Sequence, residues 1–288
     1  MAEVRSSDKL SSDEAADVLA LADAAEQADG VYPFSEDVVL RIRNGGGGRH
    51  LLAYADGTLA GYAFLDENSE LVVHPGFRRR GIGTALLAAA GDRAIRIWAH
   101  GDEPGAQQFA RNNGFTRARV LWQMRRPLTL ALPDAPLPAG VTLRHFRPGD
   151  DEQAWLAVNA RAFVHHPEQG KWTLEDLRLR EAEPWFDPAG FLLAVDVADT
   201  LLGFHWTKVH AATATDPAIG EIYVLGVDPA GHRKGLGVAL SVAGLQHLRD
   251  AGLTVAMLYV DESNEPAVAL YRRLGFEIHK ADISYERS

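Results

Sequence analysis

A chain of 288 residues with 47% hydrophobic and 24% charged residues has the balance of a soluble globular protein, and near this length a single core divides into two domains. The formal net charge of −10 opposes attraction to nucleic-acid phosphates or anionic lipid and favours a neutral or cationic substrate. With no cysteine in the chain, disulfides, thiolate metal sites and cysteine nucleophiles are all excluded. The opening string Met1-Ala-Glu-Val-Arg-Ser-Ser-Asp lacks an apolar signal core, and no apolar run reaches the ~20 residues of a membrane span, so a cytoplasmic protein is expected. Ser11 and Glu14 have capping-box spacing before an Ala/Leu-rich helix, and Ser35 is placed to cap a second helix running toward Arg43. Gly45–Gly48 reads as a surface loop, because no Gly-Lys-Ser/Thr follows to make a phosphate loop. Leu51–Tyr54 and Leu59–Phe64 read as strands joined through Asp56-Gly57, a strong hairpin signal. The prolines of Arg126–Gly140 suit an extended connector, so domains are expected at 1–126 and 141–288 with a linker at 127–140. Beyond it, Val141–Phe146, Phe191–Val195 and Leu201–Thr207 read as strands, and Glu152–Ala162 and Leu174–Ala182 as helices. The 11 histidines are scattered without metal-ligand spacing, so no metal is expected.

An internal repeat carries the most information. Leu71-Val-Val-His-Pro-Gly-Phe-Arg-Arg-Arg-Gly-Ile-Gly-Thr-Ala-Leu86 recurs 154 residues later as Leu225-Gly-Val-Asp-Pro-Ala-Gly-His-Arg-Lys-Gly-Leu-Gly-Val-Ala-Leu240. Phe109-Ala-Arg-Asn-Asn-Gly-Phe115 recurs as Leu270-Tyr-Arg-Arg-Leu-Gly-Phe276. Glu221–Val227 reads as a strand stopped by Pro229, and a helix is expected from about Gly235 to Asp250. The turn between them opens a helix whose unpaired amides, helix dipole and neighbouring Arg233 or Lys234 suit a pyrophosphate. A nicotinamide cofactor is disfavoured, since Leu86 and Leu240 stand where the dinucleotide fingerprint needs its third glycine. Alternation along the strand places Glu221 on one face with Tyr223, Leu225 and Val227, where it can take an ammonium proton. Glu67 is its counterpart at the same offset.

The pattern Val-x-Pro-x-x-(Arg/Gln)-x-x-Gly-x-Gly, then Asn-x-x-Ala-x-x-x-Tyr-x-x-x-Gly-Phe, resembles the GNAT acetyltransferase superfamily in both halves. Val73, Pro75, Arg78, Gly81 and Gly83 carry it in the first; Val227, Pro229, Gly235, Gly237, Asn264, Ala267, Tyr271, Gly275 and Phe276 carry it in the second, with His232 where Arg or Gln is usual. The resemblance implies an α/β fold, mixed and α+β-like, of two tandem GNAT domains, each a central mixed, mostly antiparallel sheet flanked by helices, with acetyl-CoA as cosubstrate. The cofactor residues would be Leu71, Val72, Val73, Arg78, Arg79, Arg80, Gly81, Ile82, Gly83 and Thr84 in the first half. In the second they would be Leu225, Gly226, Val227, His232, Arg233, Lys234, Gly235, Leu236, Gly237, Val238 and Asn264. Tyr271 would then be the general acid and Glu221 the general base, while Ala110 stands at the equivalent of Tyr271 and leaves the first half cofactor-binding but non-catalytic.

Longer strings, His166-Pro-Glu-Gln-Gly-Lys-Trp172, Trp185-Phe-Asp-Pro188, Gly203–His210 and Gly220–Pro229, resemble the mycothiol synthase family of tandem GNAT proteins. That resemblance implies acetyl transfer to the cysteinyl amine of desacetylmycothiol, a glucosaminyl-inositol carrying cysteine; a monomer is expected, and the net charge argues against a nucleic-acid or membrane partner. Glu36, Glu168, Lys208, Glu221 and Tyr259 would bind this acceptor, Glu36 from a pocket near the domain interface. Trp172, Trp185 and Trp206 either line a sugar site or pack the core. On the residues alone two alternatives stay open: a different small amine as acceptor, or a non-catalytic acetyl-CoA sensor.

Overall fold

The computed structural model describes residues 2–91, 95–164, 166, 169–213, 216–231 and 235–287. The chain divides into two compact units, one of Met1–Trp122 with Asp261–Ser263 and Lys280–Ser288, the other of Gln123–Val260 with Asn264–His279.

The first unit begins with β1 (Glu3–Ser7), α1 (Ser12–Asp29) and α2 (Glu36–Asn44). Ser11 accepts from the Glu14 amide while the Glu14 side chain returns to the Ser11 amide, and Ser35 caps α2 through the Val38 amide. The hairpin β2 (Arg49–Ala55) and β3 (Thr58–Leu65) turns through Asp56 and Gly57 at φ 52° and 76°, the left-handed pair that a two-residue turn of matching twist requires. There follow β4 (Ser69–Val73), α3 (Ile82–Ala90), β5 (Ile95–Ala99), α4 (Pro104–Asn112) and β6 (Thr116–Pro127), which leaves this unit at Trp122. Alternation along β2 and β3 separates two cores. Leu52, Tyr62 and Phe64 pack under Val18, Leu21, Val38 and Ile42 of α1 and α2. Leu51, Ala53 and Ala63 pack under Leu86 and Leu87 of α3 and Ala110 of α4.

The second unit contains β7 (Thr142–His145), α5 (Glu152–Ala162), α6 (Leu174–Glu181), β8 (Phe191–Val195), β9 (Leu201–His210), β10 (Ile219–Val227), α7 (Leu236–Asp250), β11 (Val255–Asp261) and α8 (Glu265–Arg273). Its strands follow the order β7-β8-β9-β10-β11, antiparallel except for the parallel pair β10–β11. One sheet face carries α5 and α6 over an aromatic core of Trp155, Phe191, Phe204 and Trp206. Trp155 and Trp206 are fully buried, and removing ~200 Å² each from water at ~25 cal/mol per Å² contributes roughly 5 kcal/mol apiece before chain entropy is counted. The other face takes α7, through Leu236 and Leu240 against Ala194 and Leu202.

The last strand, β12 (Glu277–Arg287), starts in the second unit and from Lys280 onward belongs to the first. There it pairs antiparallel with β5, Ile283 opposite Ala99, and completes the order β1-β2-β3-β4-β5-β12. Among the described residues no helix is long and apolar enough to cross a membrane.

Candidate active site

In the first unit the parallel pairing of β4 with β5 covers only Ser69 and Glu70, so Leu71–Val73 continue without a partner on that side. The chain then turns through Arg79 at φ 62° and Gly81 at φ 81°, and α3 starts with no side-chain cap. A cavity of about 800 Å³ opens at this helix end. Its walls include Leu71, Val72, Val73, Arg78, Arg79, Gly81, Ile82, Gly83 and Thr84, all expected from the motif, together with Phe109 and Ala110 of α4. Arg80 lies elsewhere, its guanidinium 5.2 Å above the Phe77 ring. The Arg78 guanidinium is held at 2.7 and 2.6 Å by both oxygens of Asp29, and that hydrogen-bonded pairing raises its pKa further. Uncapped amides at a helix N-terminus beside a cavity of this size fit a diphosphate-bearing ligand such as acetyl-CoA.

The second unit repeats the device. Gly235, at φ 87°, precedes α7 with no side-chain cap, and a Cβ at Gly237 would meet only Val227, at 3.9 Å. His232, Arg233 and Lys234 lie outside the described residues, as does Glu168. The β10–β11 pairing ends at Ile222 opposite Leu258, where the register with β9 slips between Ile222 and Val224. Tyr223 is the extra residue of this bulge, which bends β10 where its parallel pairing stops. Leu225, Gly226 and Val227 therefore run beside α7 without a β11 partner.

The bulge corrects the expected alternation. Glu221 stands opposite Lys208 and Val224 opposite Trp206, whereas Leu225 stands opposite His205 and Val227 opposite Gly203. Glu221 and Tyr223 thus share the aromatic face with Lys208 and Trp206, while Leu225 and Val227 turn to the α7 face. One added residue shifts a two-residue period by one, so side chains beyond it change faces.

On the aromatic face the Glu221 side chain is 8% exposed and its Oε2 lies 2.6 Å from Nε2 of His210, the last residue of β9. Lys208 Nζ lies 4.4 Å above the Trp185 ring and 5.1 Å above that of Tyr223. Arg180, buried on α6, stacks 4.0 Å over Trp172 and donates from Nε to the Tyr223 hydroxyl at 2.9 Å. Tyr259 is on the same side of β11 as Met257, the Cα partner of Glu221, and its hydroxyl accepts from Gln123 at 2.8 Å. The structure so gathers Glu221, Lys208 and Tyr259 on one face. Trp172 and Trp185 border that face as well as the core, and Trp206 is wholly core. Sequence reasoning missed His210, Tyr223 and Arg180. His210 was within reach of it, since period two from Lys208 aims both at the same face.

Tyr271 is buried in α8 and packs edge-on against Phe276 at 5.8 Å. Burial pushes its pKa up to about 12, which keeps the phenol protonated at neutral pH. Asn264 caps α8 by accepting from the Ala267 amide. In α4 the same seventh position of a nine-residue helix is Ala110, on the cavity wall. Glu67 also departs from its counterpart, being exposed in the turn before β4 while Glu221 is buried on a strand. The first unit instead buries Glu70, which accepts from His100 at 3.1 Å, while Asp282 of β12 accepts from the other ring nitrogen at 3.0 Å. Burial alone lowers a histidine pKa, but the hydrogen bonds and charges of these two carboxylates prevail and raise that of His100 to about 10. Glu36 opens α2 in this unit, beside Ser35, whose amide donates to Glu70.

Residues 154–276 match the Acetyltransferase (GNAT) family profile and residues 46–117 that of the Acetyltransferase (GNAT) domain. The fold and the two profile matches together define a tandem GNAT N-acetyltransferase, a class that uses acetyl-CoA. A tandem GNAT protein from the clavulanic acid biosynthesis pathway shares the fold, with a TM-score of 0.70 at 22% identity over 99% of this chain and 98% of its own. The mycothiol acetyltransferase of Thermobispora bispora is 59% identical over 94% of this chain and 95% of its own, and that of Salinispora arenicola 57% identical over 100% and 97%. This chain belongs to the mycothiol acetyltransferase family.

Proposed function

We propose that this enzyme acetylates the cysteinyl amine of desacetylmycothiol at the aromatic face of the second unit, with Glu221 as general base and Tyr271 as general acid. The observation that carries the reading is the position of Glu221, a buried carboxylate two residues before Tyr223, the bulge residue where the β10–β11 pairing stops. A side chain there meets an incoming amine, and the backbone just beyond it borders the α7 cradle.

Acetyl-CoA supplies the acetyl group as a thioester. The α7 amides and Gly235 hold its diphosphate, the open Cβ positions of Gly235 and Gly237 letting the backbone come close. Glu221 removes the ammonium proton, directly or through water, so that the nitrogen lone pair can attack the carbonyl carbon. As the carbon–sulfur bond breaks, the Tyr271 hydroxyl gives its proton to the departing thiolate, and the second proton of the attacking nitrogen, released as the amide forms, returns the phenolate to its neutral form. Lys208 and Tyr259 offer donors to acceptor oxygens, while Trp172 and Trp185 offer flat apolar surface to a sugar ring. In the first unit the same cradle binds acetyl-CoA without turnover, Ala110 having no proton to give.

CoA release from acetyl-CoA with desacetylmycothiol, with glucosamine and with a polyamine tests this directly. Release with desacetylmycothiol alone supports the reading; release only with the other amines gives the protein a different acceptor; and acetyl-CoA binding without any release leaves it a sensor. Glu221→Gln should lower kcat by roughly 100-fold or more.

A further inference from the structure

We propose that His210 is a positioning residue for Glu221, orienting its carboxylate. The inference rests on the reading of Glu221 as general base. A glutamate carboxylate rotates about a broad, two-fold terminal torsion, so a buried one needs a fixed donor to present one oxygen in one direction. His210 supplies it: with the proton on Nε2, the ring donates to Oε2 across 2.6 Å and leaves Oε1 to receive the proton of the acceptor ammonium. The arrangement follows from the strands. His210 is the Cα partner of Ile219, and Glu221, two residues on, lies diagonally across the same face.

The two groups differ in access, with the His210 side chain 36% exposed against 8% for Glu221. Solvent reaches the imidazole more readily than the carboxylate. Among the described residues, Lys208 on β9, Tyr223 on β10, Tyr259 on β11, Gln123 bonded to Tyr259, and Arg180 on α6 bonded to Tyr223 also present polar or charged groups on this face.

The test uses the full chain with acetyl-CoA and desacetylmycothiol, following CoA release from pH 5.5 to 9. His210→Ala is expected to lower kcat about tenfold with acetyl-CoA KM within twofold. His210→Gln, which keeps an N–H donor, should recover at least half of that kcat at pH 8. In the Glu221→Gln background, adding His210→Ala should change nothing further, because the carboxylate it orients is gone. Wild-type kcat in His210→Ala would overturn the inference. So would equal losses in His210→Ala and His210→Gln accompanied by lowered melting temperatures, which would make His210 a packing residue. Wild-type turnover in Glu221→Gln refutes the base assignment itself, whatever the His210 variants do.

Discussion

Gly81 before α3 and Gly235 before α7 stand in the same left-handed backbone and open the same kind of uncapped helix, yet seven residues into the next helix of each unit stands Ala110 in one and Tyr271 in the other. Gripping a diphosphate asks for amides and room, which glycines supply whatever surrounds them. Moving protons asks for particular side chains at particular depths, and these the two units do not share. The second has a buried carboxylate on an aromatic face and a phenol held protonated; the first has a cavity wall of alanine and a histidine clamped between two carboxylates. Under the proposed roles, cofactor capture and chemistry are separable parts of one fold.

The sharpest way to break this comparison is at the helix position itself. Tyr271→Phe should lower kcat by roughly 100-fold or more, while Ala110→Ser, which fits the same wall, leaves steady-state turnover unchanged. A loss of turnover in the Ala110 variant would mean that the first unit takes part in the reaction. Next in size, His100→Gln removes the cation between Glu70 and Asp282 and should destabilise the protein by about 3 kcal/mol, read from urea unfolding.

The two units should also answer pH in opposite senses. His205, sealed between β9 and α7, donates from Nδ1 to the Leu240 carbonyl at 2.7 Å, and burial lowers its pKa from 6.5 to about 4. An unfolded chain binds that proton first, so its contribution is present above pH 6.5 and is lost as pH falls through 4, by at most about 3 kcal/mol. His100 is raised from 6.5 to about 10, so its contribution is present below pH 6.5 and is lost as pH rises through 10. Melting temperature against pH should lose its acid slope in His205→Gln and its alkaline slope in His100→Gln; the reverse assignment would be fatal to both. Smallest is Gly244→Ala on α7, whose new Cβ would fall 2.0 Å from the His205 ring and should cost about 1–3 kcal/mol in thermal unfolding.

Much of this was legible in the residues. The Asp56-Gly57 turn, both serine caps and the bounds of α5 and β8 follow from local chemistry, and the duplicated glycine string marks the left-handed glycines that open α3 and α7. The bulge at Tyr223 was not legible, because Tyr-Val-Leu-Gly-Val suits a regular strand equally well and the slip arises from pairing with β9. Nor was the clamp on His100, whose partner Asp282 is 182 residues away. Nothing in the composition near Lys280 hints that the chain there changes units.

That change of unit bears on synthesis. A ribosome releases the chain from its amino end, so the segment made first must wait for the segment from Lys280 onward before β5 gains its outer neighbour and His100 its second carboxylate. Until then the newborn protein presents a bare sheet margin at β5, and His100 has Glu70 but not Asp282 on its ring nitrogens.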